Sequence, residues 1–400
     1  MIVSVARDVT MLDSIEIQNF RSCEDVELRL GEPVVALLGR NGAGKTNLLH
    51  AIQVAAELCF GKPEPQFGLS PNDRSKPTTF ALRFSAGGHS YVYGVSRMTP
   101  ARDDSPLRES LEREGDILFK RSGRLLESGY APFKSDVRVP LTVPGLWTLM
   151  QALPREHPLF AALRPADAFL RGIRYFSIDH PYQEHADPPP TSIVDAARFE
   201  IWTESVESGR VPESVMCRLV HMHLMDRAKL NELLALLGDD GLALVSDIEF
   251  ETISLSGGGP GARRFPDHLV TFVPCVGMAG AGRSFRVGDL SAGTWRVISL
   301  LTHLVFDEAS CILVEQPEDC IHAGLLGKLI DIFRTYAHRT QFICATHSSR
   351  VTNLIGAQGI RMVSAEEGRT GVAELSPEDI LASQSYLADE GTLAEFLETL

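Results

Sequence analysis

Eight consecutive residues, Gly39-Arg40-Asn41-Gly42-Ala43-Gly44-Lys45-Thr46, set glycines, a lysine and a hydroxyl at the spacing of a phosphate-binding loop. Each residue type has a task there. Glycines let backbone N–H groups turn inward around phosphate oxygens. A helix starting at the end of the loop adds partial positive charge. Lys45 would reach the β- and γ-phosphates of ATP, and Thr46 would hold Mg2+. A glycine-rich turn can match such a pattern by chance, but the flanks argue otherwise. Residues 33–38 (Pro-Val-Val-Ala-Leu-Leu) are a short apolar run, which predicts a buried strand. Residues 47–56, beginning at Asn47, carry apolar residues at helical spacing.

Other polar residues stand at the ends of apolar segments. Leu290-Ser291-Ala292-Gly293 precedes a helical stretch that runs to Phe306. Small residues at a helix start expose N–H groups and a hydroxyl to an anion, and a plain N-cap accounts for Ser291 equally well. Residues 311–315 form an apolar strand ending in Glu315, followed by Gln316-Pro317-Glu318. A carboxylate so placed can hold Mg2+ directly or through water. After a helix over 321–336, the strand 341–345 ends in Thr346-His347-Ser348-Ser349. His347 could touch a γ-phosphate, although a lone histidine is more often structural. Two successive strands ending in polar residues match the edge where open α/β sheets place ligands. Near the N-terminus, Asn19-Phe20-Arg21-Ser22 separates two alternating segments, 11–18 and 25–30, which predict a hairpin. Arg21 either touches a phosphate or caps this turn.

The chain that must position these residues has 400 residues, enough for one large or two ordinary domains. Its apolar fraction of 44 % suits a soluble globular protein with ample core. No apolar run reaches about 18 residues, so no membrane span is expected. The start, Met1 to Asp8, lacks a basic region followed by an apolar stretch, so no signal peptide is expected. Seven cysteines without a C-x-x-C pair predict reduced thiols in a cytoplasmic protein, not a disulfide framework or zinc site. A net charge of −14 does not advertise nucleic-acid binding, which needs local positive potential. Whether Arg97, Arg102, Arg108, Arg113, Lys120, Arg121 and Arg124 converge on one face stays open; interspersed acids favour a mixed solvated surface.

Between the two halves of the site, residues 61–77 predict a loop, and 79–84 and 91–95 predict strands joined at Gly87-Gly88. Further strands are expected near 107–111 and 116–121. Residues 146–171 have helical spacing, interrupted at Pro154, Pro158 and Pro165, before a strand at 173–178. A loop at 179–192, helices at 194–208 and 212–237, and strands at 246–255 and 268–275 follow, the last two separated by residues 257–261. His221 and His223, two apart, do not share a helical face and are taken as ordinary residues. No heptad repeat occurs, so no long coiled coil is expected. Residues 1–60 and 285–375 are expected to form the nucleotide-binding core, 61–284 a compact insertion, and 376–400 a helical tail.

Together these segments resemble the ABC-type ATPase heads of the RecF, SMC and OLD families. More closely, they resemble stand-alone bacterial AAA-family ATPases related to OLD. The matching stretches are Ile17 to Ser22, Gly44 to Leu49, Leu290 to Thr294, Glu315 to His322 and Ala345 to Ser349. Their order and spacing cover nearly the whole chain, with residues 61–285 matching loosely. The resemblance implies an α/β fold, an ABC-type P-loop ATPase head with a mixed sheet and an α+β insertion. It implies that Arg21 and the residues Gly39, Arg40, Asn41, Gly42, Ala43, Gly44, Lys45, Thr46 and Asn47 bind ATP. Thr46 and Glu315 would hold Mg2+. Leu290, Ser291, Ala292 and Gly293 would be the signature that completes a partner's site, so ATP would lie between two copies of the chain. His347 would be the switch histidine. A Q-loop glutamine is sought among Gln53, Gln66 and Gln151.

Two departures from the family shape the expected function. The family pattern has acid-Glu-Pro-Glu, and its second acid polarises the attacking water; here that position is Gln316. A neutral amide can orient water but cannot accept a proton, which forfeits about 10²–10⁴-fold unless Glu318 or His347 substitutes. Large OLD-type proteins also carry a TOPRIM nuclease, and no D-x-D cluster follows His347, so no nuclease is expected in cis. The implied function is an ATP-binding, slowly hydrolysing, dimerising regulator in DNA maintenance or anti-phage defence. It would work with a separate effector such as a nuclease, as in modules of the Septu and retron type. Two alternatives are a non-catalytic, nucleotide-gated scaffold for a partner protein and a RecF-like DNA-repair ATPase. The latter would need salt-sensitive DNA binding. A membrane transporter head is not expected.

Overall fold

The computed structural model describes residues 10–60, 67–98, 107–130, 137–140, 143–176, 194–207, 214–255, 269–280, 282–389 and 391–397. Arg102, Gln66 and the expected loops at 179–192 and 257–261 lie outside these residues. The chain begins with β1 (Met11–Phe20), β2 (Cys23–Arg29), β3 (Val34–Leu38) and α1 (Lys45–Glu57). Then come β4 (Thr78–Ala86), β5 (His89–Arg97), β6 (Arg108–Arg113), β7 (Asp116–Ser122), β8 (Leu125–Glu127) and β9 (Val137–Arg138). Next are α2 (Gly145–Ala152), α3 (Pro158–Arg171), β10 (Ile173–Phe176), β11 (Val194–Asp195), α4 (Ala196–Glu207), α5 (Val215–Leu224) and α6 (Arg227–Leu237). After β12 (Val245–Leu255), β13 (Leu269–Met278) and β14 (Ser284–Arg286) come α7 (Ala292–Phe306), β15 (Cys311–Glu315), α8 (Ala323–Tyr336) and β16 (Gln341–Thr346). The chain closes with α9 (Ser349–Ile355), β17 (Ile360–Glu366), β18 (Arg369–Glu374), α10 (Pro377–Asp389) and α11 (Leu393–Leu397).

Two compact units result. The first comprises residues 1–177, 309–318 and 333–400; the second comprises 178–308 and 319–332. This division cuts the expected insertion at residues 61–284 in two. The reason is strand pairing across a long loop: β4 lies antiparallel to β1, with Ile15 opposite Leu82. The strands β4 to β9 therefore extend the N-terminal hairpin into one antiparallel sheet, ordered β2-β1-β4-β5-β6-β7-β8-β9.

The second sheet of this unit is ordered β10-β15-β16-β3-β17-β18. All its neighbours pair in parallel except β17 and β18, which are antiparallel. Helix α1 packs against β4 of the first sheet and against β10 and β16 of the second. Its residues from Leu48 to Glu57 are all buried, as a helix enclosed on every side must be. One buried side chain ties the sheets together. The Gln341 carboxamide accepts from the Leu12 N–H and donates to the carbonyls of Leu12, Leu30 and Glu32. A buried backbone group left bare would cost about 1–3 kcal/mol, and these four bonds avoid that at Leu12, Leu30 and Glu32.

Within the second unit, β12, β13, β11 and β14 form an antiparallel sheet, with helices α4 to α7 alongside. The helix expected over 212–237 is two helices. Asp226 breaks it by capping α6, its carboxylate accepting from the Lys229 N–H at 3.2 Å. The stretch 146–171 also divides, but Pro165 does not end α3, and Pro158 opens that helix at a position where its missing N–H costs nothing. His223 stacks on Phe250 at 4.2 Å and His221 lies edge-on to Phe306 at 5.2 Å, so both are packing residues. Among the described residues, no helix is long and apolar enough to cross a membrane.

Candidate nucleotide site

The parallel sheet brings the chemistry together by register. Leu37 of β3 is paired with Ala345 of β16, which is paired with Glu315 of β15. Three strands thus end at one level, and the polar residues following each emerge on the same edge. After β3 the chain turns through residues 39–44 into α1. The Ala43 N–H closes the turn on the Arg40 carbonyl at 3.2 Å, and the Leu48 N–H begins the helix on the Gly44 carbonyl at 3.0 Å. Gly44 is left-handed at φ 102°, and its helix has neither a side-chain cap nor an acid in the first turn. The open N–H groups of that turn are free to receive an anion.

Two glycines are required by contact, and Gly44 by its left-handed conformation as well. A Cβ on Gly39 would stand 2.1 Å from the Val363 carbonyl oxygen, and one on Gly44 1.9 Å from Thr370 Oγ1. Gly42, Gly44, Lys45, Thr46, Glu315 and Gln316 line a cleft of about 280 Å³, with Asn41, Asn47 and Ala345 completing its wall. Lys45 Nζ donates to the carbonyls of Gly39 (2.7 Å) and Arg40 (3.0 Å). Burial pushes its ammonium pKa down, while Glu318 and Glu315 act in the opposite direction. Arg40 is exposed and Ala43 is buried behind the loop. The residues present fit a nucleotide phosphate with a divalent cation: open N–H groups, one lysine, and a hydroxyl and a carboxylate on the same cleft.

The turn after β15 is strained. Gln316 stands at φ 43°, and its N–H donates to the Ala345 carbonyl at 2.8 Å. Glu318 faces the end of β16. Its Oε1 accepts from Thr346 Oγ1 at 2.7 Å and from the His347 N–H at 3.4 Å, and lies 3.9 Å from His347 Nδ1. Its Oε2 is buried without a hydrogen-bond partner among the described residues. The His347 side chain is 49 % exposed.

Arg21 holds the turn in this structure and is not among the residues lining the cleft. Its guanidinium donates to Asn47 Oδ1 (3.2 Å), to the Phe67 carbonyl (2.9 Å) and to His50 Nδ1 (2.6 Å). Burial, and then the Arg21 charge, push the His50 pKa down to about 4, so a neutral ring accepts from Arg21. Its other nitrogen meets the Tyr175 hydroxyl at 3.0 Å. Of the expected Q-loop residues, Gln53 is buried on α1 and bonded to Glu57, and Gln151 is exposed on α2. Neither lines the cleft.

The stretch Leu290 to Gly293, expected to be the signature, belongs to the second unit. Ser291 is the N-cap of α7, its Oγ accepting from the Thr294 N–H at 3.2 Å. A Cβ on Gly293 would meet the Cys320 carbonyl oxygen at 2.1 Å, so only glycine fits there. The basic residues do not all converge. Arg121 is buried, donating to the carbonyls of Gly123 and Pro140, and Arg108 and Arg113 stand at opposite ends of β6. A wider cleft of about 470 Å³ opens over β4 to β8, lined in part by Ala81, Gly94, Ser110 and Lys120, and holds none of the phosphate-loop residues.

Sequence reasoning missed Val363 and Thr370, which back the loop from the β17–β18 hairpin. The available signal was Glu367-Gly368, a two-residue turn with both φ values positive (50° and 80°).

The model of a family described as "AAA domain, putative AbiEii toxin, Type IV TA system" matches residues 34–353. The chain is similar to the OLD nuclease of Thermus scotoductus, 50 % identical over 44 residues, which is 11 % of this chain and 8 % of that protein. It is similar to the DNA replication and repair protein RecF of Leptospira biflexa, 33 % identical over 93 residues (23 % of this chain, 25 % of that protein). It is also similar to the DNA double-strand break repair Rad50 ATPase of Archaeoglobus fulgidus, 30 % identical over 116 residues (27 % and 12 %). The matched segments thus span 25 % or less of these relatives' length. Among solved structures, an SMC head bound to the C-terminal winged-helix domain of ScpA aligns with a TM-score of 0.50 at 13 % identity, covering 92 % of this chain and 98 % of that one. That likeness is one of fold. The family match spans most of the chain, which therefore belongs to that AAA-domain family and is an ABC-type ATPase of the RecF, SMC and OLD class.

Proposed function

We propose that this chain binds ATP with Mg2+ in the cleft at the ends of β3, β15 and β16, self-associates through that site, and hydrolyses the nucleotide slowly. The observation that carries this reading is the convergence of Lys45, Thr46 and Glu315 on one cleft behind an uncapped helix N-terminus. The N–H groups of Gly44, Lys45 and Thr46 bind phosphate oxygens, and the Lys45 ammonium neutralises their charge. The Thr46 hydroxyl and the Glu315 carboxylate would hold Mg2+, which would supply further neutralisation of phosphate charge. Gln316 orients a water molecule but takes no proton from it. Glu318 is engaged with Thr346 and the His347 backbone, so it positions His347 and leaves that imidazole exposed. Leu290, Ser291, Ala292 and Gly293 act on the ATP of a partner copy. The relatives' printed names, a nuclease and DNA replication and repair proteins, support a role in DNA maintenance or defence beside a separate effector.

Lys45→Ala tests the site. It should abolish ATP binding in calorimetry and ATP-dependent assembly in sedimentation; retention of both would refute the assignment. Gln316 also favours a second reading, a nucleotide-gated scaffold with no turnover. ATP-dependent assembly without any phosphate release would select it.

A further inference from the structure

The back of the phosphate loop is organised by a hydrogen-bond chain that the nucleotide reading does not use. We infer that the Thr370 hydroxyl is a positioning group for the nucleotide: it holds the Ala43 carbonyl and so aims the Gly44 N–H into the cleft. The inference rests on the nucleotide reading above.

Thr370 lies on β18, 6 % exposed. Its Oγ1 donates to the Ala43 carbonyl at 3.2 Å and lies 2.7 Å from Ser22 Oγ. Its N–H donates to the Ser22 carbonyl at 2.8 Å, which fastens β18 to the β1–β2 turn. Asn47 Nδ2 donates to Ser22 Oγ at 2.7 Å, and Asn47 Oδ1 accepts from Arg21 at 3.2 Å. The donors allow one consistent order. Arg21 has only protons to give, and the Ala43 carbonyl can only accept. The chain therefore runs from Arg21 through Asn47, Ser22 and Thr370 to Ala43, each member donating to the next and polarising it.

The consequence follows from the planarity of the peptide. In a trans peptide the C=O and the following N–H point in opposite directions. With the Ala43 carbonyl held toward Thr370, the Gly44 N–H points the other way, and Gly44 lines the cleft. The absence of a Cβ at Gly44 is what lets Thr370 come so close, since a Cβ there would stand 1.9 Å from Oγ1. Without the hydroxyl, the Ala43–Gly44 peptide can rotate and present its carbonyl oxygen to the phosphates, replacing attraction by repulsion.

The test compares Thr370→Val, which keeps shape and loses the hydroxyl, with Thr370→Ser, which keeps the hydroxyl. Calorimetric affinity for Mg-ATP should fall about tenfold in Thr370→Val, the scale of one hydrogen bond. It should stay within about twofold of wild type in Thr370→Ser. Equal affinity in Thr370→Val and wild type overturns the inference, as does Thr370→Ser binding as weakly as Thr370→Val, which would mark a packing role. Absence of ATP binding by the wild-type chain overturns the nucleotide reading and the inference with it. Wild-type binding lost in Lys45→Ala but intact in Thr370→Val overturns the inference alone. Should Thr370→Val fail to fold, Ser22→Ala removes the donor that fixes the Thr370 hydroxyl. Affinity should then fall several-fold, and unchanged affinity overturns the inference.

Discussion

At Gly44 two constraints coincide, a left-handed backbone at φ 102° and the Thr370 side chain where a Cβ would lie. Gly42 has the first constraint alone, with φ 80° and open space around it. Forcing an alanine into the left-handed region costs about 1–2 kcal/mol. Gly42→Ala should therefore weaken ATP binding by about tenfold, whereas Gly44→Ala should abolish it, because the loop must also move away from β18. Titration calorimetry on the two variants separates these outcomes, and equal losses would show that contact with Thr370 is unimportant. The same residue-level logic applies to Gln316. Its backbone is held at φ 43° by the bond to Ala345, so the strand end that would carry a catalytic acid is built and carries an amide.

At the scale of elements, the site depends on strands whose ends agree in register and on a helix enclosed by two sheets. The strand–loop–helix around Lys45 and the strands ending at Glu315 and Thr346 were legible in the sequence, because each is a local pattern. Others were not. The pairing of β1 with β4 joins residues as far apart as Met11 and Ser85, and nothing local encodes it. The β17–β18 hairpin was hidden because small residues such as Gly371 and Ala373 blur its alternation. The break at Met225–Asp226 has neither glycine nor proline to announce it. In the second unit, the buried Arg218 donates twice to Asp307 (2.9 and 3.0 Å), which also meets His303 Nδ1 at 2.7 Å. Burial would raise the Asp307 pKa, but the His303 bond and the Arg218 charge hold it well below the usual carboxylate range. Removing one partner of such a buried pair costs about 3–5 kcal/mol. Arg218→Met should lower the urea midpoint of this unit accordingly, and adding Asp307→Leu should recover part of the loss. A midpoint unchanged in Arg218→Met would show that the pair contributes nothing.

At the scale of the whole molecule, the two halves of the proposed chemistry fall in different compact units: Lys45, Thr46 and Glu315 in the first, Ser291 and Gly293 in the second. With an amide in place of a catalytic acid, the protein is expected to hold ATP far longer than a head that carries the acid. The most direct test is a single-turnover experiment. Enzyme in excess over radiolabelled ATP is quenched over time, with wild type beside Gln316→Glu. Wild type should retain ATP, and Gln316→Glu should shorten its lifetime by about 10²–10⁴-fold; rapid conversion by wild type, with no gain in Gln316→Glu, would refute slow hydrolysis.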